Sequence, residues 1–244
     1  MEPLLFLAAA FLAEIIGTMA GFGSSTVFLP LALFFVDFKT ALVLVALLHI
    51  FGNIGRLAFF RHGLDRRLLL VFGVPSVLLT LAGALLVSYV PQELLKLALG
   101  AFLAAFAFSS LVWKKISFPA NTAYAIVGGG VSGFLAGLIG TGGALRSAFL
   151  TAFSLKKEMY IATAAAIALA VDMARIPIYF GSGFLQQDYY AYVPALLIVA
   201  LAGSFVGKRI VERIPQEAFR KLVLVLILLI GLKFAYEWMV FLGF

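Results

Sequence analysis

Arg146 stands three residues beyond Gly143, at the far side of a cluster formed by Gly140, Thr141, Gly142 and Gly143. A degenerate counterpart lies near the N-terminus, where Gly21, Gly23, Ser24, Ser25 and Thr26 separate two apolar runs. Glycine permits close backbone approach and the hydroxyls add donors, so each cluster reads as a break after which a second, shorter helix begins with free N–H groups. Those amides and the positive end of the helix dipole favour an anion. A planar guanidinium beside them suits an oxyanion held through two hydrogen bonds. The competing readings are that the glycines only let helices pack closely, and that Arg146 snorkels to a membrane surface.

The remaining buried-type charges recur in pattern. Asn53 and Arg56 share the three-residue spacing of Asp172 and Arg175, 119 positions later. That spacing puts both members on one helix face, so Asp172 and Arg175 read first as an ion pair. Arg56 follows a neutral asparagine and must find an anion or another acceptor. All four join the candidate binding residues. Glu14, one to two turns before the first cluster, and His49, one turn before Asn53, are candidate proton-coupling groups, or else polar side chains hydrogen-bonded in place.

Catalytic patterns are missing. The chain has no cysteine and only two histidines, His49 and His62, and it lacks H-E-x-x-H, G-x-S-x-G and the P-loop lysine. Ser24 or Ser25 could act as a nucleophile only with a base that the sequence does not place. The expectation is a non-enzyme without cofactor or metal.

The elements that must position these residues are membrane helices. Of 244 residues 64% are hydrophobic and 12% charged, against about 25% charged in soluble proteins, and the mean hydropathy is +1.13. The net charge of +7 comes from Lys and Arg scattered between apolar runs, which fits membrane topology rather than nucleic acid. A crossing needs about 20 apolar residues. By that measure spans run near Leu4–Ala20, Thr40–Phe60, Leu68–Val90, Leu94–Trp113, Ala123–Ile139, Tyr160–Phe180, Tyr189–Val206 and Phe219–Phe241. Thr26–Val36 and Ala144–Phe153 remain as half-helices. No cleaved signal peptide is expected, since the start lacks a basic segment.

The chain also repeats itself. Gly17, Ala20 and Gly21 match Gly133, Ala136 and Gly137; Val74-Pro75 matches Val193-Pro194; Pro91-Gln92-Glu93 matches Pro215-Gln216-Glu217. The expected architecture is therefore an all-α polytopic membrane protein of two halves, 1–116 and 117–244. Each half carries a broken, re-entrant hairpin and about three spanning helices. Counting each break as a hairpin places twelve loop Lys and Arg on one side and two, Lys39 and Lys96, on the other. A plain eight-span count divides them nine against five. The positive-inside rule favours the hairpins, hence inverted halves with both termini outside; the plain version also leaves the termini outside.

On the residues Gly133, Ala136, Gly137, Gly140, Gly142 and Gly143, and their degenerate counterpart in the first half, the chain resembles the sulfite exporter TauE/SafE family, also called the toluene sulfonate uptake permease family. The resemblance covers nearly the whole length. The proline expected after the glycines is present as Pro30 but replaced in the second half, where Arg146 and Ser147 stand. The resemblance implies a multi-pass permease of a prokaryotic cytoplasmic (inner) membrane that moves sulfite, a sulfonate or sulfoacetate. The expected partners are that small anion and membrane lipid, with no nucleic acid; a homo-oligomer is left open, since the sequence gives no oligomeric state. A passive anion channel and a non-transporting scaffold are the rival classes.

Overall fold

The computed structural model describes residues 2–20, 23–60, 63–113, 118–211 and 216–241. Among them it is helical throughout, with no strand: α1 (Pro3–Ala20), α2 (Ser25–Ala32), α3 (Phe38–Phe60), α4 (Arg66–Val71), α5 (Gly73–Leu86), α6 (Gln92–Val112), α7 (Thr122–Ile139), α8 (Gly143–Thr151), α9 (Lys157–Gly181), α10 (Tyr192–Val211) and α11 (Gln216–Phe241). A single 3-10 turn, Gln187–Tyr189, precedes α10. Seven segments are long and apolar enough to cross a membrane, and Pro3–Met19 in α1 is a shorter apolar helix. The all-helical polytopic expectation holds, with seven full-length candidates rather than eight.

Two boundaries differ from the sequence reading. The span placed at Leu68–Val90 is kinked at Phe72 into α4 and α5. Pro75 lacks the N–H that the Val71 carbonyl would otherwise receive, and its ring crowds that carbonyl. The half-helix placed at Thr26–Val36 is helical only over Ser25–Ala32, and the chain then turns into α3.

Each glycine cluster reverses the chain. Phe6 of α1 packs on Phe28 of α2, with ring centroids 5.3 Å apart, and on Phe35 beyond it at 5.8 Å. The chain thus returns to the end of the molecule from which α1 set out. In the second half Phe118, just before α7, stacks on Phe149 of α8 at 3.9 Å. Around the first end gather the starts of α3 and α6 and the loop after α9: Phe38 N donates to Gln92 Oε1 at 2.9 Å, and Thr40 Oγ1 to the Phe184 carbonyl at 3.2 Å. At the opposite end Asp65 N donates to Thr163 Oγ1 at 2.9 Å, and Arg67 to Thr122 Oγ1 at 3.0 Å.

Packing partners exchange between the halves. The first hairpin helix, α1, lies along α10, while α7 lies along α5; α3 crosses α9, and α6 crosses α11. Without a hydrophobic force between helices in lipid, close backbone approach and hydroxyl–carbonyl bonds must hold such pairs. A Cβ at Gly129, Gly133 or Gly137 would stand 2.2, 2.0 or 2.2 Å from the carbonyl oxygens of Phe72, Ser76 and Thr80. Ser76 Oγ donates to the Gly129 carbonyl at 2.8 Å and Thr80 Oγ1 to that of Gly133 at 2.9 Å. On α10, Gly203 and Gly207 admit α1 in the same manner, their absent Cβ atoms falling 3.2 and 3.1 Å from the carbonyl oxygens of Phe11 and Ile15. For Gly133 and Gly137 the packing reading is therefore the correct one.

Candidate functional site

In the second half, α7 ends where Gly140 adopts φ +76°, a left-handed conformation that glycine takes without strain. Gly142 then precedes α8, and a Cβ there would fall 1.9 Å from the Ser132 carbonyl oxygen. The hairpin can fold back this tightly only with glycine at that position. Arg146 follows within the first turn of α8 and is 7% exposed. No described residue hydrogen-bonds or ion-pairs with its guanidinium, although Asp172, Tyr160, Arg175 and Arg56 all lie within electrostatic range.

The first break repeats this plan with different residues. Gly21 lies outside the described residues. Gly23 adopts φ +86°, and the missing side chain of Gly17 leaves room for the Ser24 backbone. Ser24, Ser25 and Thr26 are buried, as are Thr141 and the glycines 140, 142 and 143. Thr26 Oγ1 and Thr141 Oγ1 are hydrogen-bonded at 2.9 Å, which brings the start of α2 against the approach to α8. The two breaks, remote in sequence, thus meet in the interior.

Beside them a polar network joins α1, α3, α7, α9 and α10. Arg175 donates to Asp172 Oδ1 from Nε at 2.9 Å and approaches the same oxygen with its NH2 nitrogen at 2.6 Å. Its NH1 nitrogen donates to the Ala136 carbonyl at 2.6 Å, and Tyr179 Oη to that of Gly137 at 2.6 Å. The other Asp172 oxygen, Oδ2, lies 2.8 Å from His49 Nδ1. Asn53 Nδ2 donates to the His49 carbonyl at 2.8 Å, and its Oδ1 accepts from Arg56 at 2.9 Å. The pairing expected for Asp172 and Arg175 is present.

Of the two expectations for Arg56, an anion or another acceptor, the fold supplies an acceptor. Arg56 donates to Glu14 Oε1 at 2.5 Å and to Thr18 Oγ1 at 3.1 Å. Glu14 is fully buried, and Ser204 donates to the same oxygen at 2.8 Å. The acceptor comes from α1, 42 residues away in sequence, so inspection of the α3 face alone could not reveal it. Glu14 fits because its neighbours are glycines: a Cβ at Gly52 would fall 2.4 Å from its Oε1, and one at Gly203 would fall 2.9 Å from its own Cβ.

The sequence comparison decides the family. Residues 6–234 match the sequence model of the family described as Sulfite exporter TauE/SafE. The chain belongs to the TauE/SafE family. No curated protein and no solved structure matches it significantly.

In this TauE/SafE chain the residues singled out from sequence divide into two groups. The breaks with Arg146 form one. Asp172, Arg175, His49, Asn53, Arg56 and Glu14 form a connected network beside it, with both ends of the Asn53 amide and both oxygens of Asp172 already engaged. Sequence reasoning missed Thr18, Ser204 and Tyr179. Leu81-Ala82-Gly83 recurs as Leu201-Ala202-Gly203, and that repeated glycine was the available pointer to Ser204, while no signal singled out Thr18. Surface clefts lie elsewhere. One is lined by Leu69, Gly73, Val77 and Ile167, the other by Asp65, Arg67, Asn121 and Phe153, and neither includes Arg146.

Proposed function

We propose that this TauE/SafE member is a secondary transporter of a small sulfur-containing oxyanion, of the sulfite, sulfonate or sulfoacetate class, working by alternating access. The observation that carries the reading is Arg146. A guanidinium 7% exposed, with no described partner, sits one turn into a half-helix where two chain breaks meet. An ionisable group at membrane depth costs at least roughly 2.5 to 3.5 kcal/mol on insertion scales, and an anionic guest offsets that cost. Broken helices meeting near the midplane are how many transporters hold substrate. Arg56 and Arg175 already have carboxylates, so they lend positive potential rather than a direct grip.

The two halves are read as inverted repeats. The reversal of the chain at each break and the exchange of packing partners support this reading, as does the segregation of loop charge. Arg66, Arg67, Lys156 and Lys157 fall at the end opposite Lys39; Arg61, Lys114, Lys115 and Arg213 lie outside the described residues. A reporter inserted next to Lys39 is expected to face the same side as the N-terminus, away from the cytoplasm of the prokaryotic host. A cytoplasmic signal there would return the topology to eight plain spans.

The break residues and Arg146 are buried, so the conformation described is a closed one in this reading. Purified protein in liposomes tests the function. Labelled sulfite, sulfoacetate and thiosulfate are expected to enter with saturable kinetics and to be accelerated by unlabelled anion on the far side, while a simple carboxylate moves poorly. Flux without such acceleration would favour a channel. No flux of any of these anions would remove the transporter reading.

A further inference from the structure

His49 is a buried imidazole that the Arg146 site leaves unused. Its Nδ1 faces Asp172 Oδ2 at 2.8 Å, and an ionised carboxylate there can only accept, which assigns the proton to Nδ1. Nε2 is then a bare lone pair in the neutral ring and a donor only in the imidazolium. Among the described residues that atom is buried without a hydrogen-bond partner. It points at the first break, where a Cβ on Gly23 would stand 3.2 Å away. Ser24 Oγ, in the residue between Gly23 and the start of α2, is also buried and has no partner among the described residues.

The charges around His49 set the balance. From α9, Arg175 already offsets Asp172. From α1, Glu14 pairs with Arg56 of α3 itself. From α8 comes Arg146, and α2 contributes no charge. On α6, Glu93 and Lys96 pair with each other near its start, and Lys208 and Arg209 of α10 lie in its last turn. Asp172 and Glu14 each face an arginine already, so protonating His49 adds positive charge in excess of the two carboxylates of the network. An anion at the first break would neutralise it, and by linkage anion and proton must then favour one another.

We propose that His49 is the proton-binding residue of the anion cycle. The neutral imidazole takes a proton from water on Nε2, the resulting Nε2–H donates to the oxyanion entering at Gly23 and Ser24, and one proton is bound with each anion. The proposal rests on the oxyanion reading above.

The test uses sulfate and methanesulfonate, whose charge is constant near neutral pH, added to the purified chain in lightly buffered detergent. Heat of binding reports the anion and a pH indicator reports protons. Wild type is expected to take up about one proton per anion bound, and to bind more weakly as pH rises. His49→Gln is expected to bind about tenfold more weakly, with no proton uptake and no pH dependence, and His62→Gln to behave as wild type. Binding by wild type without proton uptake overturns the proposal whether or not the variants fold, as does uptake that persists in His49→Gln. Failure of wild type to bind either anion at any pH would instead overturn the oxyanion reading, and this proposal with it.

Discussion

Replacing Arg146 by glutamine is expected to lower sulfur-oxyanion flux in liposomes about a hundredfold while leaving the fold and its thermal stability intact. Hydrogen bonds to charged groups contribute about 1.5 to 3 kcal/mol each. Losing a charged two-point contact thus removes at least about 3 kcal/mol of anion affinity, near two factors of ten. The fold is spared because no described residue loses a partner with the charge. Arg146→Lys keeps the charge but not the planar pair of donors, so its flux should fall between the two. Normal flux in Arg146→Gln would place the anion elsewhere. A collapse in stability would show that the guanidinium is structural.

Asp172→Ala is expected to do the opposite, costing about 3 to 5 kcal/mol of stability, the usual penalty when one member of a buried pair is removed. Arg175, 1% exposed, would keep the Ala136 carbonyl and its contact with Tyr179 but no carboxylate, and His49 would lose the acceptor that fixes its ring. The double variant Asp172→Leu with Arg175→Met should cost less than the two single changes added together, since it leaves no isolated charge. Thermal unfolding in detergent checks both. Equal melting for Asp172→Ala and wild type would mean that the network does not hold α9 to α3. Two buried charges, one unpaired and one paired, are thereby separated by the phenotype of their removal.

How much of this was legible beforehand follows from the range of each interaction. Helix length and the positions of the breaks are written locally, in apolar run length and in glycine clusters, and the helices appear close to where the sequence puts them. The Asp172–Arg175 pair was readable for the same reason, since three residues on one helix define a contact. The Arg56–Glu14 pair was not, because it needs α1 and α3 to be neighbours. An isolated glycine such as Gly52 reads from the sequence only as a packing residue, and the fold adds what it packs against, the Glu14 carboxylate. The kink at Phe72 was signalled by Pro75 and overlooked, because a hydropathy run counts proline as one more residue.

The glycine seams have a mechanical consequence. Backbone lies against backbone where α7 meets α5 and where α1 meets α10, and each seam ties a helix from one half of the chain to a helix from the other. Surfaces meshed so closely cannot slide by fractions of an ångström, so each pair must travel as one piece. Under the alternating-access reading, the bodies that pivot against each other would therefore be mosaics drawn from both halves of the chain, and cutting it at its midpoint would sever neither hinge nor lever.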